Sequence, residues 1–340
     1  MPGHDIVVVG ASAGGVEALV KLVSEFPANL PASVFVVLHI PAQSPSLLPP
    51  ILNRSGPLKA VHPTDGQAIQ PGHIYVAPPD LHLLLEPGHV HLVRGPKENR
   101  HRPAIDPLFR SAAAAYGPRV VGVILTGALD DGTAGLLAIK RLGGVAIVQD
   151  PREAFYPSMP LNALEHVTVD YKLPLSEIGP FIARLATKPT DKEGDYVVPE
   201  DMELEVRMAE MDMNMLNNGR HAGTPSVFSC PECGGVLWEI KDGELTRYRC
   251  RVGHAFSTES MMAAQSESVE EALWAALKTL EESASLSRRL AQQARERHQQ
   301  WLAQRFEEKV RDAQQRSELI RSALSKDKTL PTTDMAASQD

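Results

Sequence analysis

The stretch Asp5–Gly15, DIVVVGASAGG, decides the fold of this chain. Its apolar run Ile6–Val9 predicts a buried strand, and the turn Gly10–Gly15 follows directly. From Val16 onward apolar residues recur at helical spacing, which predicts a helix just after the glycines. Such a turn puts Ser12 at the carboxyl end of a sheet, where the helix N-terminus favours developing negative charge. The pattern G-x-S-x-G indicates a nucleophile.

Two other interpretations of this turn stay open. A dinucleotide-binding turn has the pattern G-x-G-x-x-G, but here the middle position is Ser12, and no acidic residue closes the second strand near position 37. The turn is also compatible with a purely structural role, in which glycines let a helix pack on a sheet. Residues elsewhere in the chain must decide between these interpretations.

Composition limits the class of protein. The 340 residues are 43% hydrophobic and 22% charged, which is ordinary for a soluble globular protein, and they are enough for a full core plus a further module. The net charge of −8 argues against a polyanion-binding protein as a whole, although local basic patches remain compatible with it. The N-terminus lacks the pattern of a signal peptide, and no apolar run reaches membrane-spanning length. We therefore predict a cytoplasmic protein without membrane insertion.

The order of the elements predicts an α/β fold. Buried strands such as Ser33–Leu38 and Val120–Leu125 alternate with helical patterns, which is typical of a doubly wound, mostly parallel sheet. Four short alternating segments broken by Pro-Gly turns predict an antiparallel hairpin excursion beside that sheet: Ala68–Gly72, His73–Ala77, Leu81–Glu86 and His89–Arg94. A further short strand is predicted at Val167–Val169.

Composition shifts divide the chain into five segments. We expect a catalytic domain over residues 1–188, then a linker with a short helix over 189–225. A zinc-ribbon-like module follows over 226–257, then one long helix or a helical hairpin over 258–326. The last segment, 327–340, is predicted to be a disordered tail.

A serine nucleophile needs a base, and the base needs an orienting acid. His39 caps the strand Ser33–Leu38 at the sheet edge where Ser12 lies, and Asp130 and Asp131 follow Val120–Leu125. The alternatives are an ordinary loop histidine and aspartates that cap a helix. All candidates follow strand ends, which favours a triad in the chain order Ser, His, Asp, unlike the order in lipase-like α/β-hydrolases. Backbone N–H groups near these turns are the predicted oxyanion donors: Ala13, Gly14, Gly127 and Ala128.

Four collinear motifs within residues 1–190 resemble the catalytic domain of the chemotaxis protein-glutamate methylesterase (CheB) family: Asp5–Leu19, Val36–Pro41, Arg102–Ala112 and Ile124–Gly135. The resemblance implies that Ser12 is the nucleophile, His39 the general base and Asp131 the orienting acid. It also implies hydrolysis of glutamate methyl esters on chemoreceptor helices, and deamidation of certain glutamines, without a cofactor.

Two departures from the family pattern stand out. Family members usually carry an N-terminal receiver domain that blocks the site until it is phosphorylated, whereas here the first motif begins at Asp5. We therefore expect no phosphorylation control of that kind. The family's usual Met-Gly after Leu-Thr-Gly is replaced by Ala128-Leu129, which puts substrate preference or oxyanion geometry in question.

The basic loop Arg94–Arg102 fits a glutamate-rich partner. Lys97, Arg100 and Arg102 are predicted to steer a methylated chemoreceptor or receptor-like protein by charge. The alternative is an ordinary solvated loop.

The three cysteines of the chain lie between positions 230 and 250, which argues for metal binding rather than disulfides. C-x2-C, a sixteen-residue spacer and C-x3-H predict a structural, four-ligand zinc site: Cys230, Cys233, Cys250 and His254. Strands are expected at Val236–Ile240 and Leu245–Arg249, around a turn at Asp242-Gly243. Basic residues such as Arg247 and Arg249 would permit nucleic-acid binding, but the neighbouring acidic segments favour a protein partner.

The terminal helical segment is amphipathic, with Val269, Leu273, Leu277 and Leu280 on one face. It is predicted to mediate internal packing, self-association or contact with a regulatory partner. Taken together, the sequence favours a methylesterase. The open alternatives are a hydrolase for another carboxylic ester or amide, and an inactive signalling scaffold that binds partners through the zinc-helical module.

Overall fold

The computed structural model describes residues 3–190, 196–211 and 223–326. The chain divides into two compact units, Met1–Met262 and Ala263–Asp340. The predicted tail, 327–340, and parts of the predicted linker lie outside the described residues. The predicted catalytic segment and the predicted ribbon module both belong to the first unit, and the boundaries between them stay predictions.

A seven-stranded sheet organises the first part of the chain. The strands up to the last of this sheet are β1 (Ile6–Ala11), β2 (Ser33–Leu38), β3 (Lys59–Val61), β4 (His73–Val76), β5 (His82–Glu86), β6 (His89–Val93), β7 (Val120–Ile124), β8 (Val145–Gln149) and β9 (Tyr171–Leu173). The sheet order is β3-β4-β2-β1-β7-β8-β9, and every neighbouring pair in it is parallel. Strand order reverses beside β1, which is the position where open α/β sheets bind their ligands.

Helices cover both faces of this sheet: α1 (Gly15–Ser24), α2 (Leu48–Ser55), α3 (Ile105–Tyr116), α4 (Thr133–Arg141), α5 (Ser158–His166) and α6 (Leu175–Ala186). Alternate residues of β1 enter different cores, since Ile6 and Val8 pack with one buried cluster while Val7 and Val9 pack with another. This is why the strand reads as an unbroken apolar run. Gly10 lets α3 approach, because a Cβ there would lie 2.5 Å from Ile105 Cγ2.

Predicted strands differ from the structure in two regions of the chain. Only β5 and β6 form the separate antiparallel hairpin, whereas β4 joins the main sheet in parallel with β2. The predicted strand Ala68–Gly72 contributes a single bridge between Ala68 and His89. The strand predicted at Val167–Val169 lies instead at Tyr171–Leu173, where it pairs in parallel with β8. In both cases short apolar runs fit several neighbours, and tertiary pairing decides among them.

The rest of the first unit consists of a helix and a second sheet. Helix α7 (Glu200–Ala209) precedes four antiparallel strands, β10 (Thr224–Ser229), β11 (Val236–Asp242), β12 (Leu245–Cys250) and β13 (Ala255–Ser257). Strands β11 and β12 extend the two segments predicted from the sequence, while β10 and β13 were not predicted. We call residues 224–262 the C-terminal module.

The second unit is a helical hairpin. Helix α8 (Thr258–Glu296) begins in the first unit and continues into the second, where α9 (Gln300–Lys326) follows it. Ion pairs join Arg295 to Glu307 and Glu281 to Arg321, as expected for antiparallel helices. Leu277 is buried, whereas Val269 and Trp274 are exposed, and self-association stays a prediction. Among the described residues, no helix combines the length and the apolar character that a membrane span requires.

Candidate active site

The register of the sheet brings the predicted triad residues to one edge. In the parallel pair β1–β2, the last residues, Ala11 and Leu38, lie opposite each other. The residues that follow them, Ser12 and His39, therefore leave the sheet side by side. The loop after β7, on the other side of β1, carries Asp131. Three separate strand ends therefore converge at the switch in strand order.

The three side chains form a hydrogen-bonded chain. Ser12 Oγ lies 3.0 Å from His39 Nδ1, and His39 Nε2 lies 2.7 Å from Asp131 Oδ2. Because a carboxylate only accepts, Nε2 carries the proton and Nδ1 is free to accept the Ser12 proton. The side chains of His39 and Asp131 are 6% and 2% exposed, so this chain is shielded from water except at the serine.

Asp131 is held by four donors. His39 Nε2 and the Ile105 N–H, at 2.7 Å, donate to Oδ2, while Asn99 Nδ2, at 2.9 Å, and the Asp106 N–H, at 3.3 Å, donate to Oδ1. Burial raises the pKa of this carboxyl group, but the hydrogen bonds and charge of His39, with Ile105 and Asn99, outweigh it and lower the pKa. The side chain is thus fixed as a charged acceptor facing the imidazole.

Its neighbour Asp130, the other candidate acid, points elsewhere. Asp130 Oδ1 accepts a 2.7 Å hydrogen bond from Ser257 Oγ, and its backbone carbonyl accepts from the Thr133 N–H at the start of α4. Burial raises the pKa of Asp130 to about 7. The structure therefore brings only Asp131 to His39.

Asp106 and Asn99 complete the buried cluster, and sequence reasoning did not select either of them. Asn99 Nδ2 donates to Asp106 Oδ2 at 2.9 Å as well as to Asp131, and the Gly135 N–H donates to Asp106 Oδ1 at 2.6 Å. Burial, followed by the charge of Asp131, raises the pKa of Asp106 to about 8. Asp106 falls within the motif Arg102–Ala112, which was the available signal for it.

This raised pKa predicts a pH dependence of stability. The folded chain keeps the Asp106 proton up to about pH 8, whereas the unfolded chain loses it near the ordinary aspartate pKa of 3.8. Between these two pKa values the folded chain holds a proton that the unfolded chain has lost. The contribution of Asp106 to the free energy of unfolding therefore falls as pH rises through this window, by at most about 1.4 kcal/mol per pH unit. Asp106→Asn removes this contribution.

We expect urea unfolding at pH 5 and pH 8 to show that Asp106→Asn becomes more favourable relative to the unsubstituted chain at the higher pH. The exposed Asp312→Asn should leave the pH dependence unchanged. An Asp106→Asn effect equal at both pH values would contradict the assignment of a protonated Asp106.

His101 packs against the other side of the imidazole. Its ring stacks on that of His39, with centroids 3.7 Å apart and planes 10° apart. Burial, then the charge of His39, lowers the pKa of His101 to about 3, so this ring is neutral at physiological pH. A neutral ring in this position limits rotation of His39 without competing for its proton.

The predicted oxyanion donors do not all remain available. The Gly127 N–H donates to the Tyr156 carbonyl at 2.9 Å and is therefore committed. Among the described residues, the N–H groups of Ala13, Gly14 and Ala128 have no hydrogen-bond partner. Gly14, directly before α1, has φ +70°, a conformation that glycine adopts readily.

The departure at Ala128-Leu129 has a local consequence. Leu129 has φ +62°, in the left-handed region that costs a residue with a Cβ about 1 kcal/mol or more. Its carbonyl accepts a 3.1 Å hydrogen bond from Asn162 Nδ2, which helps to hold this conformation. The backbone after β7 thus keeps a conformation suited to glycine although a leucine occupies the position.

Ser12 and His39 open onto a cleft of about 520 Å³. Lys97, Arg100 and Arg102 line it together with Asp80. Arg102 Nε donates to Asp80 at 2.9 Å, and Lys97 Nζ lies 3.1 Å from Glu232, so both of these cations also make ion pairs. A larger cavity of about 770 Å³ between α5 and the β11–β12 turn contains no serine or cysteine in its lining.

The predicted metal ligands also come together. The ligand atoms of Cys230, Cys233, Cys250 and His254 all lie within 4.8 Å of one another. Sulfur–sulfur separation is 3.7 Å for Cys233 and Cys250, and His254 Nδ1 lies 3.5 Å from Cys250 Sγ and 3.8 Å from Cys230 Sγ. Tetrahedral zinc with bonds of about 2.3 Å to sulfur and about 2.0 Å to nitrogen gives edges of about 3.8 and about 3.5 Å. The donor set therefore fits zinc in both type and spacing.

A buried ion network ties the C-terminal module to the rest of the first unit. Glu205 of α7 accepts hydrogen bonds from Arg247 and Arg249 at 2.7–2.8 Å, and Glu98 accepts from Arg110 and Arg249 at 2.8–3.0 Å. Burial raises the pKa of each glutamate, but the arginines outweigh it, and both values are lowered. Arg247 and Arg249 are thus committed to carboxylates and are not exposed to nucleic-acid phosphates.

Comparison with known proteins gives a consistent result. Residues 7–182 match the protein family described as CheB methylesterase. A putative protein-glutamate methylesterase/protein-glutamine glutaminase of Leptospira interrogans is 38% identical over 183 residues, covering 54% of this chain and 95% of that protein. The protein-glutamate methylesterase/protein-glutamine glutaminase of Ralstonia nicotianae is 38% identical over 186 residues, covering 53% of this chain and 49% of the relative.

A solved structure agrees with these matches. The crystal structure of the Thermotoga maritima CheB methylesterase catalytic domain is 34% identical, has a TM-score of 0.51, and is matched over 98% of its length by 53% of this chain. The similarity thus covers the parallel sheet and its strand-end loops, where Ser12, His39 and Asp131 meet. The chain belongs to the CheB methylesterase family.

Proposed function

We propose that this chain hydrolyses methyl esters of glutamate side chains in chemoreceptor-like proteins, with Ser12 as nucleophile, His39 as general base and Asp131 as the orienting acid. The observation that carries the proposal is the hydrogen-bonded chain from Ser12 through His39 to Asp131, open to solvent only at the serine. The names of the relatives support the same substrate class, and they also support deamidation of glutamine.

In the first half of the reaction, Ser12 Oγ attacks the ester carbonyl while its proton moves to His39 Nδ1. Asp131 stabilises the imidazolium that forms, through the 2.7 Å contact at Nε2. The negative oxygen of the tetrahedral intermediate requires donors, and the open N–H groups of Ala13 and Gly14 beside Ser12 suit this role. Collapse of the intermediate breaks the bond to the methoxy group, which leaves as methanol with the proton from His39.

In the second half, water replaces methanol. His39 takes a proton from water, the hydroxide attacks the acyl-serine, and the returning proton restores Ser12 as the glutamate carboxylate leaves. An amide of glutamine follows the same path with ammonia as the leaving group. No step requires a cofactor.

The cleft suits an acidic partner. Lys97, Arg100 and Arg102 line it, so glutamates next to the methylated residue on a receptor helix meet positive charge. Methylation neutralises the one side chain that must approach His39 and Asp131. We infer that neighbouring carboxylates bind the rim while the neutral ester enters the cleft.

Methanol release tests this function. We expect the full chain to release radiolabelled methanol from a methylated receptor, and Ser12→Ala to reduce the rate by about 10⁶-fold, to the uncatalysed background of the assay. The exposed Ser268→Ala of α8 serves as a matched control and should leave the rate unchanged. The proposal fails if Ser12→Ala retains the activity of the unsubstituted chain, or if several methylated receptors yield no methanol beside a working positive control.

We further propose that Cys230, Cys233, Cys250 and His254 hold a structural zinc ion. Four protein ligands fill a tetrahedral shell and leave no position for a substrate, so the metal would support the fold of the module rather than the reaction. Cys230 and Cys233 follow β10, while Cys250 and His254 lie at the turn between β12 and β13, so the metal would join two turns of the module.

We expect about one zinc per chain by elemental analysis of protein purified without chelator. His254→Asn should lower the zinc content and the melting temperature, because one ligand is lost. His298→Asn, at an exposed histidine, should change neither. Zinc-free protein with reduced cysteines would contradict the assignment.

A further inference from the structure

We propose that Asn99 is a positioning residue for the proposed reaction, and that the C-terminal module sets the orientation of its amide. The inference deepens the proposed function, because it concerns the group that holds Asp131. Asn99 lies in the basic loop Arg94–Arg102 and is 5% exposed. Its side chain links the carboxylates behind the triad to the first turn of α8.

The two ends of the amide face opposite kinds of partner. Nδ2 donates to Asp131 Oδ1 and Asp106 Oδ2, both at 2.9 Å. Oδ1 accepts from the Ser257 N–H at 3.0 Å, and Ser260 Oγ lies 3.0 Å from the same oxygen. Both N–H groups and both oxygen lone pairs of the amide are therefore matched to partners of the correct type.

The Ser257 backbone decides which way the amide points. An N–H group only donates, so it requires the amide oxygen, and the NH₂ group must then face the two aspartates. A flipped amide would put its oxygen against the Asp131 carboxylate and its NH₂ against an N–H donor. Buried mismatches of this kind are costly because no water replaces the lost partners. The orientation that supports Asp131 is thus set by a residue 158 positions away in sequence.

The module also holds the backbone of this loop. The Asn99 N–H donates to the Ala255 carbonyl at 2.8 Å, and the Ala255 N–H donates to the Lys97 carbonyl at 3.3 Å, so β13 extends along the loop. The neighbouring Glu98 is anchored by Arg249 of β12 at 3.0 Å. Asn99 itself has φ +48°, a conformation that asparagine tolerates better than most residues.

A chain of fixed contacts therefore runs from the module to the nucleophile. Ser257 orients Asn99, Asn99 holds Asp131, Asp131 orients His39, and His39 accepts the Ser12 proton. Small displacements of such groups have large effects on rate, since a shift of about 1 Å can cost about 10²-fold. The C-terminal module is thus part of the support of the active site, in addition to any partner it binds.

The test compares Asn99→Ala, Ser260→Ala and Thr258→Ala in the full chain. Thr258 is the matched control, because its hydroxyl lies in the same turn and, among the described residues, hydrogen-bonds to the Thr246 carbonyl alone, at 3.4 Å. Two rates are measured for each variant: modification of Ser12 by a small fluorophosphonate, located by mass spectrometry, and methanol release with kcat and KM separated. The fluorophosphonate needs the nucleophile and its base but no receptor.

We expect Asn99→Ala to lower both the modification rate and kcat by about 10²-fold, with KM changed by less than about twofold. Ser260→Ala, which leaves the Ser257 N–H in place, should lower both rates by about fivefold, as for one lost hydrogen bond. Thr258→Ala should match the unsubstituted chain. Ser260→Ala keeps the inference testable if Asn99→Ala does not fold.

Three results would overturn the inference: unchanged Ser12 modification in Asn99→Ala and Ser260→Ala, a raised KM with unchanged kcat, or equal losses in Ser260→Ala and Thr258→Ala. The last would mean that the turn acts through stability alone. If Ser12 of the unsubstituted chain is modified but no methanol appears, the ester substrate is wrong, while the modification rates still decide the role of Asn99. If Ser12 is not modified at all, both proposals fall.

Discussion

Replacing Asp131 with asparagine should slow methanol release by about 10⁴-fold, the loss typical of removing the orienting carboxylate from a serine triad. All four groups around Asp131 donate hydrogen bonds, two to each oxygen. An asparagine must turn its NH₂ group toward one of these pairs. It then either opposes the His39 Nε2 proton and the Ile105 N–H or opposes Asn99 and the Asp106 N–H.

The matched control is Asp130→Asn at the adjacent buried carboxylate, which contacts Ser257 rather than His39. We expect it to change the rate by less than about tenfold, since it touches no group that moves a proton. Both variants should be assayed for methanol release with the same methylated receptor. Equal losses in the two variants would show that the buried charge as such matters, and not the contact of Asp131 with His39.

Replacing Glu205 with glutamine should lower the free energy of unfolding by about 3–5 kcal/mol. Glu205 is the buried carboxylate that Arg247 and Arg249 share, with Arg110 Nη1 at 3.6 Å. Removing its charge leaves three buried arginines with too few carboxylates, and the cost of an uncompensated buried charge dominates. Urea unfolding followed by circular dichroism measures the change.

Glu203→Gln on the same helix is the control, because Glu203 is exposed and pairs with Arg207 at the surface. A surface pair of this kind contributes about 0–1 kcal/mol, so this variant should unfold close to the unsubstituted chain. A Glu205→Gln loss no greater than that of Glu203→Gln would contradict the view that the network holds the C-terminal module to the rest of the first unit.

The sequence predicted the part of the site that depends on strand ends. Ser12, His39 and Asp131 each follow an apolar run that reads as a parallel strand, and parallel strands place such residues at one edge. The mostly parallel sheet and the membership in the CheB methylesterase family are confirmed. The roles of the three residues stay proposals, although the geometry is compatible with each of them.

The sequence did not predict the support behind Asp131. Asn99 was one residue of a basic loop, and its function depends on contacts with Asp131 and Ser257, which are 32 and 158 positions away. Hydrogen bonds over such separations leave no periodic pattern in a single sequence. The position of β4 was missed for a related reason, since a four-residue strand fits a hairpin as well as a sheet edge.

In the C-terminal module, too, the sequence predicted the local feature and not the long-range contacts. Cysteine spacing identified four residues whose ligand atoms lie within 4.8 Å of one another, because metal ligands follow local rules of spacing. The contact of the module with Glu98 and Asn99 was not predicted, and Arg247 and Arg249 looked like surface cations. Their burial depends on carboxylates that lie on α7 and on the loop before α3.

Modification of the full chain by a small fluorophosphonate, mapped by peptide mass spectrometry, tests the central claim most directly. We expect one adduct per chain on Ser12, formed quickly in the unsubstituted chain and at least about 10³-fold more slowly in His39→Gln, because the base that takes the serine proton is lost. An unmodified Ser12, an adduct confined to another residue, or an equal rate in His39→Gln would contradict it.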